Sequence, residues 1–238
     1  MNAAASAAAA RPPFRVSHVL LDVDGTLVDY GSALRAAFAA AAARCSTLAG
    51  SAVHGDALLQ LRIAVGREPS WAARRPSELR YETLRRALAE HGADSDAGVR
   101  AALRDYEVAR DGALHVFPDV HDALGALRAL GITLIAASNG NVDLRAVGLD
   151  GYIAGRHYAD EVGVAKPDAR FFSGALARWG VAPASALAVG DRFDNDYAPA
   201  RAAGLHAVLL DRAAAVNDPA IVRVRSLAEL PALVALAV

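Results

Sequence analysis

Apolar positions along the chain follow two periods, one typical of buried strands and one typical of amphipathic helices. Residues 16–26, VSHVLLDVDGT, are almost continuously apolar until they end in acids and a glycine. Such a run predicts a central strand of a parallel sheet. Three later runs with the same character predict further strands: ITLIAASNG (132–140), ALAVGD (186–191) and LHAVLLD (205–211).

Segments with helical spacing separate these strands. Four of them follow residue 117: PDVHDALGALRALG (118–131), DARFFSGALARWG (168–180), NDYAPARAAG (195–204) and SLAELPALVAL (226–236). In the last of these, Ser226 and Glu229 have the spacing of a capping box. A shorter stretch, NVDLRAVGLDG (141–151), predicts an abbreviated helix.

The segment between the first strand and residue 112 has a different character, because alanine, leucine and arginine dominate and β-branched residues are sparse. Ser32 predicts the cap of a helix that runs through Arg44. Ser77 predicts the cap of another helix, which Gly92 follows. We interpret the whole segment as a helical insert.

The alternation of strands and helices predicts an α/β fold with a doubly wound parallel sheet. The predicted core comprises residues 14–30 and 113–238, and the predicted helical insert comprises residues 31–112. The alanine-rich residues 1–13 are predicted to be a disordered tail. A chain of 238 residues is long enough for this organisation.

Composition narrows the function classes. A net charge of −1 argues against nucleic acid as a partner, because no basic excess is available to neutralise phosphates. No apolar run reaches the length that spans a bilayer, so a membrane partner is not expected. Cys45 is the single cysteine, which favours a reducing compartment, and the cytoplasm is the expected location. A monomer or a homodimer is expected.

Polar side chains gather where the predicted strands end, which is where open α/β sheets bind ligands. They are Asp22, Asp24, Ser138, Asn139, Asp191, Asp194 and Asp196, with Lys166 in the loop before a helix. Carboxylates at this density repel one another unless a cation lies among them, and hard oxygen ligands suit Mg²⁺. Lysine and hydroxyl groups nearby would hold phosphate oxygens. The pattern therefore indicates phosphoryl chemistry.

Four motifs carry a family resemblance. DVDGTLVD, ASNG, VAKPD and GDRFDND resemble, in order and position, the motifs of the haloacid dehalogenase superfamily. The match extends from about Phe14 to the C-terminus. The helical insert follows the first motif, where members with an α-helical cap carry that cap. The resemblance therefore implies a Rossmann-like core with a cap domain at residues 31–112.

The resemblance also implies a role for each matching residue. Asp22 corresponds to the nucleophile and Asp24 to the general acid and base. The implied phosphate-binding residues are Ser138, Asn139 and Lys166. The implied metal ligands, for Mg²⁺, are Asp22, Asp24, Asp191 and Asp196. Asp194 is the alternative for the last of these acids, and it is otherwise a plain loop residue.

The implied activity is the hydrolysis of a small phosphorylated metabolite through an aspartyl phosphate. EVGVAKPD (161–168) is similar to nucleotidase-like members, and sugar phosphates or phosphoglycolate are the other candidates. A 2-haloacid dehalogenase also attacks with the first aspartate but generally lacks the second one, which Asp24 supplies here. A phosphomutase and a non-catalytic binding protein complete the alternatives.

The basic residues allow two further predictions, one for the single lysine and one for the arginines of the insert. Lys166 is the only lysine among 25 basic residues, and a compact ammonium fits a crowded anionic pocket better than a planar guanidinium. The arginines of the insert, with Trp71 among them, could contact a second anionic or aromatic part of a substrate, and a solvated basic face is the alternative. The candidate residues for this contact are Arg62, Arg67 and Trp71, with Arg74 and Arg75 beside them.

Overall fold

The fold is known from a computed structural model, which describes residues 12–71 and 74–237. Residues 1–11 of the predicted tail lie outside the described residues. The strands have the following bounds: β1 Phe14–Val16, β2 His18–Leu21, β3 Thr133–Ser138, β4 Gly155–Tyr158, β5 Ala186–Gly190, β6 His206–Leu210, β7 Arg223–Val224 and β8 Val234–Leu236. The α-helices have these bounds: α1 Tyr30–Ala49, α2 Gly55–Arg67, α3 Pro76–Ala89, α4 Asp96–Gly112, α5 Val120–Ala129, α6 Ala159–Val162, α7 Ala169–Trp179 and α8 Ala198–Ala202.

Six strands form a parallel sheet in the order β4-β3-β2-β5-β6-β7. Alternate residues of β2 face opposite sides, so Val19 and Leu21 pack with α5, whereas Leu20 packs with α7 and α8. Helices therefore cover both faces, as the apolar character of the strands requires. The predicted α/β fold with a doubly wound parallel sheet is confirmed.

Helices α1–α4 lie between β2 and α5 in the chain and have an apolar cluster of their own. Phe38 of α1 and Tyr106 of α4 meet edge to face, with ring centroids 5.1 Å apart. Leu84 and Leu88 of α3 are buried in the same cluster. We call α1–α4 the helical insert.

Several predicted element ends are wrong. Helix α1 begins two residues before Ser32, and the side chain of Asp29 caps it by accepting a hydrogen bond from the backbone N–H of Ser32. It continues past Arg44 to Ala49. Helix α3 begins at Pro76, so Ser77 lies in its first turn and donates instead to Asp160, at 2.8 Å.

Three other segments differ from the prediction in the kind or the number of their elements. Residues 141–151 form turns rather than an abbreviated helix. The predicted strand that begins at Val16 is two strands, β1 and β2, separated by Ser17. The predicted last helix is a 3₁₀ turn, Leu227–Leu233, that leads into β8, and β8 pairs with β1 in a separate two-stranded sheet. Its capping box, Ser226 with Glu229, is present.

No helix within the described ranges combines the length and the apolar character that a membrane crossing requires.

Candidate functional site

The candidate site lies at the carboxyl ends of β3, β2 and β5, which are neighbours in the sheet. Asp22 follows the last residue of β2, Ser138 is the last residue of β3, and Asp191 follows the last residue of β5. Parallel strands end at the same edge, so the three polar groups meet there. The structure thus brings together the strand-end residues that the sequence singled out.

Two glycines allow the close approach of these groups. Gly25 has φ +88°, which a side chain would strain, and a Cβ atom there would collide with the carboxylate of Asp191. A Cβ atom at Gly140 would collide with the carboxylate of Asp24. The glycines of the first and second motifs therefore make room for the acids of other motifs.

Lys166 is buried at the centre of the site. Its Nζ donates to Asp22 Oδ1 at 2.5 Å, to Asp196 Oδ1 at 2.6 Å and to the Ala137 carbonyl at 3.0 Å. Burial works to lower the pKa of Lys166, but the charges of Asp22 and Asp196 outweigh it, so the pKa lies above its ordinary value. The lysine is therefore a fixed positive charge between two carboxylates.

Asn139 holds the backbone of Lys166. Its Oδ1 accepts from the Lys166 N–H at 2.8 Å, and its Nδ2 donates to the Lys166 carbonyl at 2.8 Å. The side-chain amide is thereby engaged in positioning the lysine loop. Ser138 Oγ is buried and accepts from the backbone N–H of Gly140 at 2.9 Å, which leaves its hydroxyl hydrogen available to a ligand.

Three carboxylates form a possible metal site. One oxygen each of Asp22, Asp191 and Asp196 can be chosen so that all lie within 4.8 Å of one another. Oδ1 of Asp191 is buried and has no hydrogen-bond partner among the described residues. Such a set of hard oxygen donors, with one of them unsatisfied, fits a divalent cation such as Mg²⁺ or Mn²⁺.

The sequence left open whether Asp194 or Asp196 joins the other acids of the site, and the two differ in burial. Asp196 is 3% exposed, and its Oδ2 accepts from the Arg192 N–H at 3.1 Å within the π-helical turn Phe193–Tyr197. Asp194, in the same turn, is exposed. Asp196 therefore belongs to the carboxylate group and Asp194 faces solvent. The carboxylate of Asp24, the fourth predicted ligand, is not one of the three that come together.

Burial shifts the acids towards their neutral forms. It raises the pKa of Asp22 to about 8, with Lys166 opposing the shift and the charges of Asp196 and Asp24 adding to it. It raises the pKa of Asp24 to about 6, against the effect of Lys166 and two arginines. Burial and then the charge of Asp196 raise the pKa of Asp191. A cation would relieve all three shifts.

A cavity of about 1260 Å³ joins these groups to the helical insert. Among the predicted specificity residues, Arg62 and the exposed Arg67 line it. Trp71 is not among the described residues of its wall, and its ring instead lies 5.9 Å from the guanidinium carbon of Arg74 and 6.0 Å from that of Arg86. Trp71 thus contacts arginines, not the cavity.

Sequence reasoning missed four residues of the helical insert that lie in the cavity wall or act on the site. Tyr30, Arg80 and Tyr106 line the wall, and Arg110 lies close enough to lower the pKa of Asp24. A signal for Arg80 was present, because it shares a helical face with three buried positions, Thr83, Leu84 and Ala87. An arginine on the apolar face of a helix is unusual and marks a position to examine.

The chain is similar to a known hydrolase family and to two phosphatases. The family model described as haloacid dehalogenase-like hydrolase matches residues 16–204. A phosphoserine phosphatase from Thermus thermophilus is 34% identical over 145 residues, which are 59% of this chain and 57% of that protein. The match thus spans little more than half the length of that relative. A ribulose-1,5-bisphosphate 5-phosphatase from Halopiger xanaduensis is 31% identical over 202 residues, 81% of this chain and 84% of that protein.

A solved structure shares the fold. It is a 2-haloacid dehalogenase from Pseudomonas syringae pv. tomato DC3000, with a TM-score of 0.75 and 31% identity. The match covers 91% of this chain and 96% of that one. The similar proteins therefore include both hydrolases of phosphate esters and a hydrolase of carbon–halogen bonds.

Proposed function

The chain belongs to the haloacid dehalogenase-like hydrolase family, and we propose that it is a Mg²⁺-dependent phosphomonoesterase that acts on a small phosphorylated metabolite. The observation that carries the proposal is the different surroundings of the two aspartates of the first motif, of which Asp22 is buried and Asp24 is half-buried. Asp22 lies against Lys166 and the other acids, whereas Asp24 stands apart with a pKa raised to about 6. These surroundings support Asp22 as the nucleophile and Asp24 as the group that moves a proton.

The first half of the proposed reaction transfers the phosphoryl group to the protein. A carboxylate oxygen of Asp22 forms a bond to phosphorus as the bond between phosphorus and the ester oxygen breaks. Asp24 gives its proton to the departing alkoxide. Because its pKa is near neutrality, Asp24 can hold that proton beforehand and release it at this step.

The second half returns the protein to its starting state. Asp24, now ionised, takes a proton from water as the water oxygen bonds to phosphorus. The bond between phosphorus and Asp22 then breaks, which releases inorganic phosphate and restores the Asp22 carboxylate. Lys166 neutralises charge on the phosphoryl oxygens, and the hydroxyl of Ser138 donates to one of them.

We assign the metal to Asp22, Asp191 and Asp196, whose oxygens cluster. When bound, Mg²⁺ would supply positive charge that stabilises the phosphoryl oxygens as charge builds up on them. Asn139 acts through Lys166, which its side chain holds by two backbone hydrogen bonds. Residues 14–30 and 113–238 would be the catalytic core. Residues 31–112 would be a cap that excludes water when substrate binds.

A phosphate-release screen tests this function. The protein is assayed on a panel of nucleoside monophosphates, sugar phosphates, phosphoglycolate and phosphoserine, with Mg²⁺ and with a chelator in its place. We expect release from at least one member that depends on Mg²⁺ and disappears in Asp22→Asn. No release above the Asp22→Asn background on any member would refute the proposal.

A 2-haloacid dehalogenase is the second candidate, because the solved structure with 31% identity carries that name. Such an enzyme displaces halide from carbon and needs no metal. The clustered acids and the presence of Asp24 favour the phosphatase. Halide release from 2-chloropropionate in the presence of a chelator, without phosphate release in the screen, would decide for the dehalogenase.

Metal binding should depend on pH. Burial raises the pKa of Asp22 in the metal-free protein, so a proton competes with the cation for this carboxylate as the pH falls. We therefore expect the affinity for Mg²⁺ to rise with pH, by up to about tenfold per unit while Asp22 loses its proton, and to level off once Asp22 is ionised. Calorimetry in two buffers of different ionisation enthalpy measures the released proton. An affinity that does not change over this range would contradict the expectation.

A further inference from the structure

Two arginines of the helical insert that line the cavity are buried or half-buried and have no acidic partner among the described residues. Arg80 is 5% exposed, and its Nε is buried with no hydrogen-bond partner among the described residues. Arg62 is half-buried and lines the same wall. Neither guanidinium forms an ion pair within residues 12–71 and 74–237. A buried charge without a partner is costly, so its presence requires an explanation.

Arginines elsewhere on α3 and beside it show the opposite arrangement. Arg85 is 39% exposed at its side chain and is paired with Glu82 at 2.8 Å. Arg74 is 57% exposed at its side chain and is paired with Glu78 at 3.2 Å. A charge in solvent needs no partner, whereas a buried charge needs compensation. The more exposed Arg74 and Arg85 have acidic partners, and the buried Arg80 has none among the described residues.

The two cavity arginines also act on each other. Burial, and after it the charge of Arg80, lowers the pKa of Arg62 from its ordinary value. The ring of Tyr106 supports Arg80, with the guanidinium carbon 5.6 Å from the ring centroid. Two guanidinium groups so arranged present a concentration of positive charge and hydrogen-bond donors that an oxyanion would satisfy.

The position of this pair indicates which part of a ligand it meets. Arg80 and Asp24 line the same cavity, and the positive charge of Arg80 reaches Asp24, as that of Arg110 does. Arg110 itself is satisfied, because it donates to Asp111 at 2.8 Å and to Asn141 at 2.6 Å. Since Asp24 is the proposed proton donor to the leaving alcohol, the unsatisfied Arg80 would face that alcohol.

We propose that Arg62 and Arg80 form a second anion-binding subsite, which takes a carboxylate or a second phosphate on the leaving group of the substrate. The inference rests on the proposed phosphatase function and names its substrate class: small phosphate monoesters whose alcohol carries another acidic group. Guanidinium groups bind both kinds of oxyanion through paired N–H donors. Phosphate esters of neutral alcohols of the same size leave Arg62 and Arg80 without an anionic partner and are poor substrates.

Matched substrate pairs test the preference and separate the two anions. For the carboxylate, 2-phosphoglycolate is compared with 2-hydroxyethyl phosphate, and 3-phosphoglycerate with glycerol 3-phosphate. For the second phosphate, propane-1,3-diol bisphosphate is compared with 3-hydroxypropyl phosphate. We expect kcat/KM to favour the acidic member of at least one pair by roughly 10- to 100-fold, the range for hydrogen bonds to a charged group. A preference below about threefold in every pair would overturn the subsite.

Substitutions test whether Arg62 and Arg80 cause the preference for the acidic substrates. Arg80→Gln should reduce kcat/KM for the preferred acidic member by roughly 10- to 100-fold and leave its neutral counterpart within about threefold. Arg62→Gln should act in the same direction, and Arg80→Lys should retain part of the preference. Arg104→Gln, an exposed arginine of α4, is the matched control and should change neither member.

Stability and binding measurements separate a subsite from a structural role. Arg80→Gln removes an unpaired buried charge, so its unfolding temperature without ligand should equal or exceed that of the wild type. A lower unfolding temperature together with equal losses on both members would make Arg80 structural and overturn the proposal.

Calorimetry on the Asp22→Asn protein with Mg²⁺ measures binding of each pair without turnover. If the wild type hydrolyses no member, the phosphatase function fails. The binding preference still decides on the subsite, and equal affinities for both members would reject it.

Discussion

Asp22→Asn is expected to abolish phosphate release, with kcat reduced by about 10⁴-fold or more, because an amide cannot form the acyl phosphate. The fold should persist. Asn is isosteric with Asp, and Lys166 keeps its hydrogen bonds to Asp196 at 2.6 Å and to the Ala137 carbonyl at 3.0 Å. Burial raises the pKa of Asp22, so loss of its charge relieves a desolvation penalty. Single-turnover phosphate release and thermal unfolding measure the two effects.

Asp194→Asn is the matched control for the loss of an acid near the site. Asp194 lies in the same turn as Asp196 but is exposed, so its substitution should leave kcat within about twofold. Wild-type turnover in Asp22→Asn would remove the nucleophile from the mechanism. An equal loss in Asp194→Asn would mean that the acids act through overall charge rather than through position.

Lys166→Arg should lose most activity although it keeps the charge. The lysine side chain is 1% exposed, and its Nζ lies 2.5 Å from Asp22 and 2.6 Å from Asp196, which leaves no space for a planar guanidinium. We expect kcat to fall by about 10²- to 10³-fold because the donor to the phosphoryl oxygens is displaced. Overpacking should lower the free energy of unfolding by about 1–3 kcal/mol.

Lys166→Met distinguishes the contribution of charge from that of shape. Methionine is close to lysine in length but leaves Asp22 and Asp196 without their shared cation. Both variants should lose activity, whereas only Lys166→Arg should retain a positive charge beside the acids. Denaturant unfolding and kcat for the two proteins provide the comparison. Near wild-type turnover in Lys166→Arg would show that this position accepts any cation.

Local patterns were sufficient for the strands β2, β3, β5 and β6 and for the residues at their carboxyl ends. Runs such as that ending at Asp22 record burial on both faces of a sheet, which depends on nearby sequence alone. Parallel strands place their carboxyl ends at one edge, so the sequence alone predicts that Asp22, Ser138 and Asp191 meet. The solitary Lys166 likewise stood out by composition.

The three-dimensional fold decided which acid of the last motif is buried and how the chain ends. Asp194 and Asp196 are two positions apart, and only the π-helical turn after β5 buries one and exposes the other. Helical spacing suggested a last helix, but pairing of β8 with β1 makes its end a strand, since hydrogen bonds to a distant partner outweigh local preference.

The charge arrangement of the cavity was also beyond the sequence. Helical spacing places Arg80 on the buried face of α3, but only the packing of α3 against α4 sets it beside Tyr106 while Arg85 stays 39% exposed at its side chain. The sequence by itself determined which residues carry the chemistry of the strand ends. The tertiary structure alone decided which charges lack a partner, because pairing depends on distances between elements that no local pattern encodes.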